Sequence, residues 1–153
     1  MARLMAPPGG GSTAQERLAW RLVSAAQMYV QSDPLPHGFP GLYAFHRRLN
    51  LPMVLVSESV VADGDRFPST FLPLIGLHFI QEASVRLRGR AENDCAVTSR
   101  MAQQWAEAME MRAPSFEAVS DAGDVDGPTP GDAALEVAVE LWRREGVDTE
   151  RSA

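Results

Sequence analysis

The spacing of apolar positions along the chain predicts three amphipathic helices, each with apolar residues three or four positions apart. The helices and their apolar positions are residues 13–31 with Leu18, Leu22, Ala26 and Tyr29; residues 94–112 with Val97, Met101, Trp105 and Ala108; and residues 132–145 with Leu135, Ala138, Val139 and Trp142. Thr13, Asp94 and Asp132 are expected to cap their first turns, and Pro114 and Gly146 to end the second and third helices.

The region between the first two helices is less regular. "PLPHGFPG" at 34–41 predicts a loop, and "LYAFHRRLN" at 42–50 a short helix. "MVLVSESVVADGDRF" at 53–67 favours a strand, alone or in a ragged hairpin that turns at Asp63–Gly64. Residues 71–88 favour a helix from about Pro73 to Gly89, although period-two alternation from residue 83 leaves a strand open.

These elements predict a mainly α fold: a compact helical domain of four to five helices with one strand or short hairpin, plus a linker and an acidic C-terminal helix. The predicted divisions are a flexible N-terminal arm at 1–12, a helical core domain at 13–113, an acidic Pro/Gly linker at 114–131, a C-terminal amphipathic helix at 132–146 and a flexible tail at 147–153. A chain of 153 residues is long enough for one hydrophobic core.

The charge of the chain is unevenly distributed. Residues 1–112 hold 11 arginines and 10 acidic residues, whereas residues 113–153 hold 3 arginines and 10 acidic residues. The acidic final quarter makes nucleic acid an improbable main partner, because nucleic-acid binding depends on neutralising phosphates. No apolar run approaches the ~20 residues that a membrane span needs, so no membrane association is expected.

Two features of the composition exclude whole classes of chemistry. The chain has no lysine, whether through genome composition or selection, so Schiff-base enzymes, Walker A phosphate loops and kinase lysine sites are excluded. Cys95 is the single cysteine, which excludes an internal disulfide and a cysteine-based zinc site and favours a cytoplasmic location. We expect Cys95 to be a small buried residue of the helix that follows Asp94.

The segment "GDVDGPTPGDAALE" at 123–136 begins like a calcium-binding loop. With Asp124 and Asp126 as the first two ligands, Pro128 takes the third ligand position and Leu135 the twelfth, which should be a bidentate acid. Too few carboxylates remain to fill a coordination shell. The segment is therefore interpreted as a linker, and neither a metal nor a cofactor is expected.

Two sets of polar residues could support chemistry or ligand binding. His78 and Glu82 are four residues apart and would share a helix face, as weak candidates for a catalytic base and its partner. Arg86, Arg88 and Arg90 form the densest basic patch and could bind RNA or a phospholigand, although no aromatic residues are interleaved to stack on bases. A structural histidine and a solvated arginine face are the favoured interpretations.

The pattern favours a non-enzymatic soluble interaction protein, such as an adaptor, regulator or assembly subunit, that works through apolar helix–groove contacts. The candidate partner-binding residues are Trp105, Met109, Leu135, Val139 and Trp142. The partner is another protein or a second copy of the chain, and a homodimer in which the last helix crosses over is slightly favoured. The alternative is a small helical enzyme or ligand-binding domain with a pocket around His78, Glu82 and Trp105.

Overall fold

In the part of the chain that the structure describes, five α-helices and a small sheet form the mainly α fold that the sequence predicts. The computed structural model describes residues 2–36, 38–46, 48–122 and 129–146. In chain order the elements are β1 Ala2–Arg3, α1 Ala14–Ala26, β2 Tyr29–Asp33, β3 Gly41–His46, β4 Leu51–Ser57, α2 Glu58–Ala62, α3 Arg66–Arg88, α4 Cys95–Ala122 and α5 Pro130–Arg144, with a 3-10 turn at Pro8–Gly10 before α1.

The sheet has the strand order β1-β2-β4-β3, in which β2 and β4 are parallel and both outer pairs are antiparallel. Val30 of β2 lies opposite Val54 of β4, and both are buried in the hydrophobic core against the helices. Residues 1–12, predicted as a flexible arm, contribute β1 and the 3-10 turn; just after β1, the Leu4 amide donates a 2.8 Å hydrogen bond to the Val30 carbonyl.

Three local predictions between residues 13 and 67 are wrong. The first helix ends at Ala26 rather than residue 31, because Gln27 adopts a left-handed conformation and the following residues pair with β4. Residues 42–46 lie in β3 rather than a helix, since they pair in antiparallel register with β4. Asp63–Gly64 does not turn a hairpin, because it separates the two helices α2 and α3.

The helix predicted from about Pro73 to Gly89 is confirmed as α3, which begins earlier, at Arg66. Gly89 ends it in a left-handed conformation with φ of 77°. Gly76 lets α3 approach α4 closely: a Cβ at this position would lie 2.5 Å from Cε3 of Trp105. The absence of a side chain at Gly76 therefore helps to set the spacing of the two helices.

Asp94 caps the start of α4 as predicted, because its carboxylate accepts hydrogen bonds from the backbone amides of Ala96 and Val97. The helix continues through Pro114 to Ala122, so the expected end at Pro114 is wrong. A proline inside a helix removes one backbone hydrogen bond. Tertiary contacts past Pro114 offset that loss: Glu117 forms an ion pair with Arg17 of α1, and Phe116 packs against the core.

The predicted linker at 114–131 therefore overlaps α4, and its residues 123–128, including Asp124 and Asp126, lie outside the described residues, as does the tail at 147–153. The cap of α5 also differs from the prediction. Thr129, not Asp132, is the N-cap, and its hydroxyl accepts a 3.1 Å hydrogen bond from the Asp132 amide. Pro130 follows as the first helical residue, a position where its missing amide hydrogen costs nothing.

Helix α5 packs against α1, α3 and α4 of its own chain. Trp142 is 1% exposed, and its indole N–H donates a 2.8 Å hydrogen bond to the carbonyl of Ile80. The buried face is rotated slightly from the predicted one and consists of Ala133, Ala134, Val137, Ala138, Leu141 and Trp142. A homodimer with exchanged helices stays a prediction, because this docking is within one chain.

Candidate functional sites

The predicted pair on α3 gains a third member from the sheet. His78 and Glu82 lie on one face of α3, with 3.6 Å between His78 Nε2 and Glu82 Oε2. Tyr43 of β3 places its hydroxyl 2.9 Å from His78 Nδ1, within hydrogen-bond distance. Tyr43 was not predicted as a site residue because residues 42–50 were interpreted as a short helix. A helix there would not have placed the Tyr43 side chain beside α3.

Burial determines the protonation of this cluster. It lowers the pKa of His78, which the nearby Glu82 carboxylate opposes, and it raises the pKa of Tyr43 to about 12, with Glu82 adding to the rise. Both effects favour the neutral imidazole and the neutral phenol near pH 7. A Tyr–His–Glu chain of this kind can pass a proton, and it can equally hold a sheet against a helix.

Trp105 does not join His78 and Glu82 in an open pocket. It is 0% exposed, its ring stacks on Phe79 with 5.7 Å between centroids, and its indole N–H donates a 2.9 Å hydrogen bond to the carbonyl of Ala134. These contacts make Trp105 a core residue at the junction of α3, α4 and α5. The structure therefore brings together two of the three residues of the predicted pocket.

The three arginines of the predicted basic patch have different environments. Arg88 is tied down: its guanidinium donates to the Ser84 hydroxyl at 2.7 Å and to Glu92 at 3.1 Å, and it lies 4.6 Å above the ring of Trp142. Arg86 and Arg90 are exposed. Arg86 forms an i,i+4 ion pair with Glu82 at 3.8 Å, so within the described part of the chain Arg90 is the one arginine of the three without an ion pair.

The predicted partner-binding residues divide between core and surface. Trp105, Met109 and Trp142 are buried, whereas Leu135 and Val139 are half-buried on the outer side of α5. Over residues 95–117 of α4, the most exposed large apolar side chain is Met111, at 83%. The sequence did not single it out as different from Met101 and Met109, which both pack in the core.

A groove of about 1000 Å³ runs between the outer faces of α4 and α5. Its apolar lining is formed by Ala108, Met111, Phe116, Ala133, Val137, Val139 and Leu141. The helices run in opposite directions here, since Arg100 near the start of α4 pairs with Glu145 just after α5. Charged side chains of both signs form the rim, among them Glu107, Glu136 and Arg143.

Among residues 2–36, 38–46, 48–122 and 129–146, no three His, Cys, Asp or Glu side chains are grouped so that they could hold a metal ion. Cys95 is exposed, so its expected burial is wrong; it occupies the first turn of α4, where its thiol faces solvent. None of the described helices is both long and apolar enough to cross a membrane. Comparison of the chain with protein-family models, curated proteins and solved structures finds no match.

Proposed function

We propose that this protein is a non-enzymatic interaction protein, an adaptor, regulator or assembly subunit, that binds an amphipathic helix of a partner protein in the α4–α5 groove. The observation that carries the proposal is Met111, an exposed apolar side chain within a groove that has an apolar lining. Half-buried Phe116 and Val139 line the same groove, and an apolar patch rimmed by polar residues often marks an interaction site.

The shape of the groove favours a helix as the occupant. Two neighbouring antiparallel helices form a long furrow, and the 15 residues of α5 give it a length of about 22 Å at ~1.5 Å per residue. A docked helix of similar length would add a third helix to the pair and bury its apolar stripe against Met111 and Val139. Helix-in-groove recognition uses apolar anchors at this spacing.

The charges on the rim favour a partner helix that carries both signs. Within the described part of the chain, Glu107, Glu136 and Arg143 make no ion pair, so they are available to a partner. Arg residues on the partner would face the two glutamates, and an acidic residue would face Arg143. Such rim contacts orient a complex and speed its formation more than they strengthen it.

The test is a selection of helical peptides from a library with a fixed leucine stripe and random charges on the flanking positions. Peptides selected on the native protein are expected to bind Met111→Asp and Val139→Asp at least tenfold more weakly, since each change places a charge in the apolar lining. Met5→Asp is the matched control, because Met5 is 73% exposed and outside the groove.

Two outcomes would overturn this proposal. One is a set of selected peptides that bind Met111→Asp as well as the native protein. The other is a native dimer in sedimentation experiments that Met111→Asp converts to a monomer, which would show that a second copy of the chain occupies the groove.

The second candidate function is a small enzyme or ligand-binding domain that uses the Tyr43–His78–Glu82 cluster. The hydrogen bond between Tyr43 and His78 across two elements is the observation in its favour. Titration of the His78 ring nuclei by NMR against a library of small polar fragments tests it. Fragment-induced chemical-shift changes at His78 that disappear in Tyr43→Phe would favour this function over helix binding.

A further inference from the structure

Strand β3 forms one edge of the sheet, and in the described part of the chain no strand pairs with its outer side. The opposite edge is β1, which has only two residues, whereas β3 has six. Alternate residues of β2 and β4 are buried, yet none of β3 is, and Phe45 is 51% exposed. β3 is therefore the long open edge of the sheet.

The ladder between β3 and β4 shows which backbone groups of β3 point outward. The Ser57 amide donates a 2.9 Å hydrogen bond to the Pro40 carbonyl, and the register then continues without a bulge through all six residues of β3. Hydrogen-bonded pairs alternate along an antiparallel ladder, so the even-numbered residues of β3 bond to β4. The outward N–H and C=O groups, to which no described residue bonds, belong to Gly41, Tyr43 and Phe45.

The sequence of β3 does nothing to prevent another strand from pairing with this edge. Natural edge strands are usually protected by charged side chains, proline, a bulge or very short length. The six residues of β3, "GLYAFH", include no Asp, Glu, Arg, Lys or Pro. Two copies of the chain can therefore approach along β3 without placing like charges opposite each other, which would oppose pairing.

The side chains of β3 fit a second copy of the same strand. Gly41, Tyr43 and Phe45 share the face of the sheet that packs on α3, because side chains alternate along a strand and Tyr43 contacts His78. If two β3 strands pair antiparallel about a twofold axis at Tyr43, each Gly41 lies opposite the partner's Phe45.

This pairing gives the exposed ring of Phe45 a place to pack. Gly41 has no side chain, and a Cβ there would lie 2.6 Å from the Leu55 carbonyl oxygen and 2.5 Å from Cδ1 of Leu74. An aromatic ring on the neighbouring strand can cover such a glycine and stabilise the sheet. The surface that Gly41 leaves open and the ring that Phe45 exposes are therefore complementary in a pair of identical strands.

We propose that β3 is a dimerisation edge, along which the four-stranded sheets of two copies join into one continuous sheet. The outward amides of Gly41, Tyr43 and Phe45 donate to the facing carbonyls of the other copy. The contact covers one strand edge and one exposed ring per copy, so its total area stays below the ~1,200 Å² of stable complexes. We expect a reversible dimer with a dissociation constant of about 100 µM, independent of the function proposed for the α4–α5 groove.

Sedimentation velocity tests the dimer. Between about 10 and 500 µM, which brackets the expected constant, the native chain should pass from monomer to dimer. Phe45→Lys should raise the dissociation constant at least tenfold, because a lysine at an edge opposes pairing and the ring that covers Gly41 is lost. Met111→Lys makes the same kind of change at an exposed apolar position on the α4–α5 groove, and should leave the constant unchanged.

Amide hydrogen exchange of the native chain distinguishes edge pairing from any other dimer. At about 500 µM, where roughly three quarters of the chains are paired, the amides of Tyr43 and Phe45 should exchange about threefold more slowly than in the monomer. The amides of Leu42 and Ala44, which already bond to β4, should change less. This measurement needs no variant, so it decides the question even if Phe45→Lys proves unstable.

Three outcomes would overturn the proposal. A native chain that stays monomeric at the highest concentration would leave the edge to a strand of another protein. A dimer that Met111→Lys weakens and Phe45→Lys does not would place the contact in the α4–α5 groove. Unchanged exchange at Tyr43 and Phe45 in a dimeric sample would exclude pairing along β3.

Discussion

Replacement of Gly76 by alanine tests how tightly α3 packs against α4. The added Cβ would lie 2.5 Å from one atom of the Trp105 ring and 3.1 Å from two more, all closer than ordinary van der Waals contact. The ring has little freedom to move away, because Trp105 is fully buried, stacks on Phe79 and donates a hydrogen bond to the Ala134 carbonyl. Either the two helices must separate or the tryptophan must shift.

The expected cost follows from three contributions. Overpacking a core lowers the free energy of unfolding by about 1–3 kcal/mol. A shift of Trp105 that breaks its hydrogen bond to Ala134 leaves a buried donor without an acceptor, which costs about 1–3 kcal/mol more. In the opposite direction, alanine stabilises a helix by about 1 kcal/mol relative to glycine. We therefore expect Gly76→Ala to lower the free energy of unfolding by about 3 kcal/mol.

Urea denaturation followed by circular dichroism measures this change, with Gly64→Ala as the control. No atom lies within 4 Å of a Cβ built at Gly64, so its effect should stay within about 0.5 kcal/mol. A Trp105→Phe change should relieve part of the clash, giving the double variant a coupling energy of about 1 kcal/mol. Equal stabilities of the two alanine variants, or additive effects in the double variant, would refute the packing argument.

Three further predictions concern charged and titratable groups. Because burial lowers the pKa of His78, the unfolded chain takes up a proton first, so stability should fall as the pH drops from about 6.5 toward the folded pKa. The midpoint of urea denaturation, plotted against pH over this range, should change less steeply in His78→Gln than in the native protein. Equal slopes for the two proteins would contradict the prediction. Glu117→Gln should speed hydrogen exchange in the last two turns of α4, because it breaks the ion pair between Glu117 and Arg17 of α1. The control Glu107→Gln, on the rim of the groove, should leave these exchange rates unchanged. Equal rates in the two variants would contradict a stabilising role for the ion pair. Arg88→Met should lower the free energy of unfolding by about 1 kcal/mol, since the cation above Trp142 is lost, while the exposed Arg86→Met should change it by less than about 0.5 kcal/mol. Equal effects of the two arginine variants in urea denaturation would contradict this prediction.

Helices with strong local signals could be predicted from the sequence. The apolar stripe through Met101 and Trp105 and the caps at Thr13 and Asp94 are properties of a few neighbouring residues, and the structure confirms them. The stripe that includes Trp142 likewise predicted an amphipathic helix, which the structure confirms as α5. Its exact buried face differed by a small rotation, because contacts with three other helices determine it.

The sheet could not be predicted because its pairings are distant in sequence. Tyr29 continues the apolar spacing of α1, yet it lies in β2 opposite Met53, 24 positions along the chain. The same cause hid the candidate site: the spacing of His78 and Glu82 is visible in the sequence, whereas Tyr43 approaches them only because β3 pairs with β4. Strand propensity depends heavily on such tertiary context.

The docking of α5 has a consequence for the chain during its synthesis on the ribosome. Trp142 donates its hydrogen bond to Ile80, which is made 62 residues earlier. At about 5–20 residues per second, translation takes roughly 3–12 s to cover that distance. From the time each helix is made until α5 follows, the apolar faces of α3 and α4 that later cover Trp142 and Ala134 lack the helix that buries them. The nascent protein is therefore most prone to aggregation and chaperone capture just before α5 emerges, and slow translation at that point prolongs the risk.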